Sequence, residues 1–376
     1  MTRPKYDYLI VGSGLYGAMF AHTATLQGKK CLVIEKNGHI GGYCYTENVH
    51  GIEVHKFGAH IFRTNSKKVW NFVNSICEFT PFVNSPIASY QGKIYNLPFN
   101  MNTFNQLFGV TTPEAAFDAI EKDKVVFDNP KNLEEHCLST VGRKIYETLI
   151  KGYTEKQWGK ECKELPASIM KRIPVRYTFN NNYFNEKYQG IPECGYTEFI
   201  RRLLIGSDVW TENDFFDDVE WFKSIAKEII YTGQIDKFYD YKFGKLDYRS
   251  VKFKEIYLSD IDNQQGNAVV NFTDRDTPYT RMIEHKHFLK TQCKGTVISY
   301  ETPCDYSENG SPSYPIPTEE NLSKYSRYKD LADKEPNVIF GGRLAEYKYY
   351  SMKSVILLTT THFYITKILL YSEFKI

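Results

Sequence analysis

The sequence predicts an α/β protein in which a Rossmann-like domain carries an inserted helical domain and an antiparallel β-sheet domain. Three observations predict this fold class. Near the start, an apolar run, a glycine-rich turn and a helical stretch follow one another as the opening of a βαβ unit. Helical periodicity with few glycines extends over about residues 113–152. From Gly233 onwards, short runs rich in Val, Ile, Tyr and Phe indicate strands of an antiparallel sheet.

The order of these patterns predicts how the chain divides. We expect residues 1–85 to form the first part of the Rossmann domain and residues 86–190 a mainly helical insertion. Residues 191–232 are expected to return to the Rossmann domain, and residues 233–320 to form the antiparallel sheet domain. Residues 321–376 then add a last Rossmann part and a C-terminal tail.

Charge and cysteine content exclude several classes of function. The chain of 376 residues carries 47 Lys and Arg against 45 Asp and Glu, a net charge of +2. Since no long basic run stands out, we expect no nucleic acid partner. The eight cysteines form no CxxC pair and lie near no histidine at the spacing of a metal site. We therefore expect neither a disulfide framework nor a bound metal.

The ends of the sequence bear on location. The first residues contain no apolar segment of the signal-peptide type, which favours a cytoplasmic protein. Residues 355–371 are apolar but interrupted by Thr359, Thr360, Thr361, His362 and Lys367. Because a membrane span needs about 20 apolar residues, no stable membrane insertion is expected.

The glycine-rich turn carries the first functional signal. An apolar run at residues 8–11 leads into Gly12-Ser13-Gly14-Leu15-Tyr16-Gly17. A helix follows, and the next strand ends at Glu35, 23 residues after Gly12. Glycines let the backbone approach a pyrophosphate, the helix N-terminus attracts its charge, and an acidic side chain at this spacing binds a ribose. The pattern predicts a dinucleotide site.

A second motif selects among dinucleotides. Glu35-Lys36 is followed by Gly41-Gly42-Tyr43, the E-K-x-x-x-x-G-G pattern of many FAD enzymes. The second glycine pair offers further backbone amides to the flavin side of the pyrophosphate, which a nicotinamide dehydrogenase does not need. We therefore expect non-covalently bound FAD.

Five further motifs carry a closer resemblance. They are HKFGAHIF from His55, GYTEKQWG from Gly152, RIPVR from Arg172, NNYF from Asn181 and GGRL from Gly341. From about Tyr6 to Tyr350, in this order, the chain resembles bacterial UDP-galactopyranose mutase. The resemblance implies an isomerase that interconverts UDP-galactopyranose and UDP-galactofuranose. In that family, reduced FAD acts as a covalent nucleophile through flavin N5, without net redox change.

The resemblance also implies a biological setting. Galactofuranose supply belongs to bacterial surface-polysaccharide synthesis, including the lipopolysaccharide O-antigen. UDP-galactose is then the small-molecule partner, and the family is commonly homodimeric. No metal takes part.

Four residues are candidate catalytic groups by this resemblance. Arg172 and Arg281 match the two diphosphate-binding arginines of the family, and a forked guanidinium fits phosphate oxygens. Arg172 lies in a segment that resembles the mobile substrate loop, residues 166–177, whose closure would exclude water. His60 resembles the histidine beside the flavin. Arg343 resembles the residue that favours the anionic reduced flavin.

The other candidate residues form two sets, each assigned from matching motifs. The expected FAD-binding residues are Gly12, Ser13, Gly14, Leu15, Tyr16, Gly17, Glu35, Lys36, Gly41, Gly42, Tyr43, His60, Ile61, Phe215, Arg343, Tyr350, Ser351 and Met352. The expected substrate-binding residues are Arg63, Asn84, Leu149, Tyr153, Thr154, Trp158, Arg172, Tyr183, Asn271, Arg281, Tyr314 and Tyr349. Aromatic side chains with polar groups suit stacking on uracil and contact with a sugar diphosphate.

Three features depart from the family pattern. Arg63 stands where a histidine is more usual, and we hypothesise that its longer charged donor admits UDP-N-acetylgalactosamine. Leu149 replaces an aromatic residue that often flanks the uracil. In the tail, Ser351 replaces an acidic residue, and the three threonines from Thr359 are poor helix formers. We expect this tail to reduce flavin affinity or activity.

Two other functions stay open. An FAD oxidoreductase of the amine-oxidase or desaturase type shares the glycine motifs. However, Trp158, Arg172, Tyr183, Arg281 and Tyr349 suit a nucleotide diphosphate rather than an amine or a lipid. A flavin-binding homologue with weakened catalysis is suggested by the atypical tail alone.

Overall fold

The computed structural model describes residues 4–170, 173–306 and 310–373, and its strands and helices are numbered along the chain. The first sheet consists of β1 (Tyr6–Val11), β2 (Cys31–Ile34), β10 (Asp208–Trp210), β11 (Ala226–Tyr231) and β17 (Val338–Phe340). Its strand order is β10-β2-β1-β11-β17, and all neighbours are parallel. The short apolar runs of β1 and β2 are largely buried, as central parallel strands are. The predicted Rossmann-like fold is confirmed.

The second sheet consists of β7 (Ile87–Tyr90), β8 (Lys93–Asn96), β12 (Tyr248–Leu258), β13 (Val269–Phe272), β14 (Arg281–Glu284), β15 (Thr296–Asp305) and β16 (Tyr314–Pro315). Its order is β16-β12-β15-β14-β13-β7-β8. Neighbours are antiparallel, as expected, except that β13 pairs with β7 in parallel.

The hairpin β7–β8 corrects one expectation, because it lies in the segment expected to be mainly helical. Its two strands meet at Gln91 and Gly92, both with positive φ, which is the geometry of a tight hairpin turn. The boundaries of the domains themselves stay a prediction.

Helices dominate the rest of that segment, as predicted. They are α3 (Met101–Phe108), α4 (Pro113–Asp123), α5 (Leu133–Ile145) and α6 (Gly152–Trp158), with a π-helical turn at Tyr146–Lys151 between the last two. The side chains of Asn100, Thr112 and Asn132 accept backbone N–H groups at the starts of α3, α4 and α5. An apolar cluster between these helices gives the segment its own core.

Smaller elements connect these bodies. β3 (Thr46–Val49) pairs with β4 (Ile52–His55), and β9 (Tyr188–Pro192) lies between β5 (Phe62–Thr64) and β6 (Phe79–Pro81). The other helices are α1 (Leu15–Thr25), α2 (Lys67–Ile76), α7 (Tyr196–Leu203), α8 (Val219–Ser224), α9 (Ile235–Phe238), α10 (Lys286–Leu289), α11 (Glu319–Ala332) and α12 (Met352–Glu373). Short 3₁₀ turns occur at Gly42–Cys44, Cys162–Glu164, Ala167–Met170 and Phe215–Asp217.

The C-terminal tail corrects a second expectation, because α12 runs straight through the three threonines. Each threonine hydroxyl donates to the carbonyl four residues earlier, as in Thr359 to Val355 O at 2.6 Å. The helix is held by packing, since Ile356 and Phe363 are buried and the ring of Phe363 contacts Phe20 of α1. Tertiary burial outweighs the weak helix propensity of threonine.

The cysteines correct a third expectation. Cys77 and Cys194 form a disulfide, with Cα atoms 6.5 Å apart. They are separated by 117 residues in the chain, so their spacing gave no sign of the pair. Within the described residues, no group of three or more His, Cys, Asp or Glu side chains is placed to hold a metal ion. No helix in this part of the chain has the length and apolar character to cross a membrane.

Candidate active site

A cavity of about 590 Å³ joins the glycine-rich turn to the second sheet. One end is lined by Gly12, Gly14 and Glu35, and the other by Arg281 and Tyr153. Residues far apart in sequence, from the Rossmann sheet, the β5 strand and the tail, therefore face one space. Most of the sequence-predicted site residues line it.

The glycines of the first turn have separate structural roles. Gly12 has φ of +104°, and a Cβ there would lie 2.3 Å from Thr232 Oγ1. A Cβ at Gly17 would lie 2.1 Å from Gly12 O, so this glycine lets α1 pack against the turn. A Cβ at Gly14 would meet no described atom within 4 Å. Gly14, at the N-terminus of α1, thus leaves open space in which a ligand can approach the backbone.

Glu35 is the acidic residue at the end of β2, and its carboxylate is buried and fixed. Oε2 accepts from the amide and hydroxyl of Ser13, at 3.1 and 2.8 Å, and Oε1 accepts from the side chain of Asn37 at 2.7 Å. Ser13 does not line the cavity and acts by holding Glu35. The backbone amide of Asn37 also donates to Oε1, at 3.1 Å, so four hydrogen bonds hold the carboxylate, and a ribose hydroxyl group would have to share or replace one of them.

The second glycine pair has a use that was not expected from sequence. Gly41 N–H donates to Ser13 O at 3.2 Å, and a Cβ at Gly42 would lie 3.1 Å from Gly14 Cα. The pair therefore packs the second turn onto the first. Gly41, whose amide was expected to face a pyrophosphate, is engaged within the protein.

At the far end of the dinucleotide loop, His60, Ile61, Arg343 and the residues Tyr350, Ser351 and Met352 line the cavity. The guanidinium of Arg343 lies over the ring of Tyr43, 4.1 Å from its centroid. Phe215 also lines the cavity. A fixed positive charge thus faces the space beyond the glycine turns.

His60 is held as a neutral imidazole. Its Nδ1 lies 2.7 Å from Gly58 O, and since a carbonyl only accepts, Nδ1 carries the proton. Burial lowers the pKa of His60 to about 4, and the nearby charges of Arg343 and Arg281 act in the same direction. Nε2 is then an acceptor at the cavity.

Two buried histidines, which the sequence analysis did not identify, are linked to His60 by hydrogen bonds. His55 Nδ1 accepts the backbone N–H of His60 at 3.1 Å, and His285 Nδ1 accepts that of His55 at 3.2 Å. His285 Nε2 donates to Ser299 Oγ at 2.7 Å. Burial lowers the pKa of His285 to about 3 and that of His55 well below the usual value, so both rings are neutral.

Arg281 is the charged centre of the other end. It pairs with Glu301 on the neighbouring strand, with Nε 2.9 Å from Oε2. Burial raises the pKa of Glu301, although Arg281 opposes this. Burial also works against the charge of Arg281, but Glu301 and the oxygens of Tyr153, Tyr314 and Tyr183 raise its pKa above the usual value. Glu301 was not among the sequence-predicted residues.

Asn271 lies directly opposite Arg281 in the β13–β14 register. Its Oδ1 is buried and has no hydrogen-bond partner among the described residues. An unpaired buried acceptor costs free energy, so this atom fits a donor from a ligand in the cavity.

Arg63 reaches the cavity from β5. Its guanidinium stacks on Phe184, 3.9 Å from the ring centroid, and lies 3.6 Å from Glu186 Oε2. Asn84, Tyr183, Tyr314 and Tyr349 line the same end, and the last of these is 62% exposed.

Some predicted substrate residues lie elsewhere. Leu149, Thr154 and Trp158 do not line the cavity. Leu149 is buried in the helical core, and Trp158 packs against it. Their assigned contacts with the uracil stay predictions. Arg172 lies outside the described residues.

The fold and the cavity define an enzyme of the Rossmann dinucleotide-binding class, in which a half-buried arginine among tyrosines shares the cavity of the glycine turns. A family model described as UDP-galactopyranose mutase matches residues 148–349, and one for the NAD(P)-binding Rossmann-like domain matches residues 10–76. The chain belongs to the UDP-galactopyranose mutase family.

The chain is similar in sequence to individual relatives over most of their length. The chain is 38% identical over 358 residues to dTDP-fucopyranose mutase of Escherichia coli, covering 92% of this chain and 94% of that protein. It is equally identical to a Klebsiella pneumoniae protein named "Probable UDP-galactopyranose mutase", covering 93% and 92%. A crystal structure of reduced UDP-galactopyranose mutase shares the fold, with a TM-score of 0.73 at 12% identity over 98% of this chain and 95% of that one.

The family and the Rossmann-like domain together imply a flavin cofactor, and the residues present fit one. The open side of Gly14 leaves space beside a helix N-terminus, as a pyrophosphate requires. Glu35 lines the cavity at the end of β2, the position of a ribose-binding carboxylate in this class of fold. Arg343 and neutral His60 stand where the cavity continues beyond the glycine turns.

Proposed function

We propose that this chain interconverts the pyranose and furanose forms of UDP-galactose. The observation that carries the proposal is the surroundings of Arg281. Its guanidinium lies with Glu301 among tyrosines in the cavity that also contains the dinucleotide turn. A half-buried cation with adjacent hydroxyl groups can hold a sugar diphosphate next to a bound flavin.

Reduced flavin, when bound, supplies a nucleophilic nitrogen that can displace the diphosphate from the anomeric carbon. The residues of the chain do the remaining work. Arg281, which we expect Arg172 to join, stabilises the charge of the departing diphosphate. Tyr153 and Tyr314 flank Arg281 and orient the nucleotide sugar. His60 offers a neutral acceptor at Nε2, so it can hold a donor without adding charge beside Arg343.

A second candidate substrate is dTDP-fucose, because the relative of that activity is as similar as the Klebsiella protein. A third is UDP-N-acetylgalactosamine, on the hypothesis made for Arg63. The stacking of Arg63 on Phe184 supports this hypothesis, since it fixes a charged donor at the cavity. An acetamido carbonyl is an acceptor that such a donor can recognise.

A panel of furanose substrates tests the proposal. The purified holoenzyme, reduced under anaerobic conditions, is given UDP-galactofuranose, UDP-N-acetylgalactosaminofuranose or dTDP-fucofuranose, and the pyranose products are separated by chromatography. We expect UDP-galactofuranose to be converted fastest. Faster conversion of dTDP-fucofuranose would assign the second candidate instead. In a separate aerobic assay, oxygen consumption with an amine, together with no sugar conversion in the anaerobic assay, would support the oxidoreductase alternative.

The variant Arg63→His tests the hypothesis on sugar choice. We expect it to lower the turnover of the N-acetylated sugar relative to galactose by about tenfold, as the loss of one charged hydrogen bond does. Arg201→His, an exposed arginine on α7, is the matched control. An unchanged preference in Arg63→His would contradict the hypothesis. Supply of surface polysaccharide and a homodimer complete the proposal, and both rest on the family resemblance. The cytoplasmic location expected in the sequence analysis stays a prediction.

A further inference from the structure

A turn at residues 273–280 joins β13, which carries Asn271, to β14, which begins with Arg281. Helix α6, which carries Tyr153, packs directly on this turn. A Cβ at Gly152 would lie 2.3 Å from Thr273 O, so the helix backbone and the turn touch without a side chain between them. Glu155 of the same helix forms an ion pair with Arg275, at 3.2 Å.

Lys156 fastens the two elements. Its Nζ donates to three carbonyls at both ends of the turn: Phe272 O at 2.9 Å, Thr277 O at 3.0 Å and Tyr279 O at 3.0 Å. An ammonium has three donors, and all three are used. Tyr153 lies one helical turn before Lys156, so the same bonds set the position of Tyr153 relative to Arg281.

We propose that Lys156 is a positioning residue for the nucleotide diphosphate, which it serves by fixing the helix of Tyr153 against the turn that leads into Arg281. The inference rests on the proposed function and adds to it a residue that does not line the cavity. Removing the ammonium would leave three carbonyls without their donor and free the turn to shift. Because Tyr153 and Arg281 face the same ligand, such a shift weakens nucleotide binding before it affects the flavin end.

The charge of Lys156 gives the proposal a second readout. Burial lowers the pKa of Lys156 to about 8, and Asp274 opposes this. On the elements that Lys156 joins, Glu155 and Arg275 pair with each other, and the ring of Tyr279 contacts Tyr300. Above this pH the neutral amine keeps only two donors, so one carbonyl loses its partner. Since the folded chain loses the proton before the unfolded chain does, this loss does not itself weaken the fold.

The test measures the dissociation constant of UDP for the holoenzyme between pH 7 and pH 10, together with the thermal midpoint. Lys156→Met is compared with Lys156→Arg and with Lys160→Met, an exposed lysine just beyond the end of α6. We expect Lys156→Met to bind UDP about tenfold more weakly or worse at pH 7. Lys160→Met should match the wild type. Affinity of the wild type should fall above pH 8, while Lys156→Arg, which stays charged, should keep its affinity there.

The outcomes separate this inference from the function it rests on. Wild-type affinity for UDP in Lys156→Met would overturn the inference, as would an identical fall above pH 8 in the wild type and Lys156→Arg. If Lys156→Met does not fold, the comparison of wild type with Lys156→Arg decides alone. Absence of UDP binding by the wild type would overturn the proposed function, and this inference with it.

Discussion

Arg281 and Glu301 face each other across β14 and β15, with Arg281 Nε 2.9 Å from Glu301 Oε2 at the end of the cavity away from the glycine turns. The carboxylate is 4% exposed. It holds the guanidinium in place and balances its charge while no diphosphate is bound. Under the proposed function, a ligand phosphate would compete with this carboxylate for the same cation.

Removing Glu301 from this pair should lower the stability of the free protein and increase the stabilisation that UDP provides. Glu301→Ala leaves Arg281 without its counter-charge and should lower the free energy of unfolding by about 3 kcal/mol. Adding UDP should restore more stability to the variant than to the wild type, because the diphosphate replaces the missing charge. Denaturant unfolding with and without UDP measures both. Equal stability of variant and wild type would contradict the role given to the pair.

The three buried histidines predict acid sensitivity. Because the pKa of His55, His60 and His285 is lowered in the folded chain, the unfolded chain binds more protons below pH 6.5. The free energy of unfolding should therefore fall as the pH falls from 6.5 towards 4, by up to about 1.4 kcal/mol per pH unit for each histidine. His285→Gln removes one of these histidines and should lower the slope of the free energy of unfolding against pH by up to about 1.4 kcal/mol per pH unit. His50→Gln, a substitution of an exposed histidine, is the control and should leave the slope unchanged. A pH-independent stability in this range would contradict the neutral assignments.

The glycine turn predicts two variants with different defects. Gly14→Ala meets no protein atom, so the chain should fold with an unchanged thermal midpoint but bind flavin at least about tenfold more weakly. Gly17→Ala drives a Cβ into Gly12 O and should lower the midpoint itself. Flavin absorbance per chain and thermal unfolding of both variants separate the two effects. Full flavin content in Gly14→Ala would show that the open space beside Gly14 is not the cofactor site.

The tail predicts a structural link between its helix and the flavin end. Phe363 is buried against Phe20, so Phe363→Ala should lower the free energy of unfolding by about 3 kcal/mol. Leu357→Ala, at a half-exposed position of the same helix, is the control and should change it little. Because Ser351 and Met352 at the start of the helix line the cavity, Phe363→Ala should also lose flavin more readily. Equal stability of the two variants would contradict the packing of α12.

The features that the sequence revealed are those with a local cause. Strand, glycine turn and helix follow one another within the first 25 residues, and Gly12 and Gly17 are each required by a close contact with a neighbouring atom. The hairpin at residues 87–96 was missed because its strands are only four residues long and its turn, Gln91-Gly92, is not one of the strongest hairpin signals. The helix of the tail was not predicted because its stability comes from packing on α1, which the weak helix propensity of its threonines does not indicate.

The site residues also fall into those that the sequence predicted and those that it did not. Arg281 and His60 were found through motifs, but Glu301, His55 and His285 were not, since their importance depends on cross-strand pairing and burial. One signal was available for Glu301: it is a charged residue in the middle of the ten-residue strand β15, which is unusual unless the charge is paired. No pattern in the chain predicted that Lys156 would bridge a helix and a distant turn.

Conversion of UDP-galactofuranose under anaerobic conditions tests the central claim most directly. The purified protein is divided into an oxidised sample and a sample reduced with dithionite, and each is given UDP-galactofuranose. We expect UDP-galactopyranose in the reduced sample alone, with conversion lowered by at least about a hundredfold in Arg281→Ala. The central claim would be contradicted by a folded protein that is yellow as purified, and so holds flavin, but forms no UDP-galactopyranose after reduction.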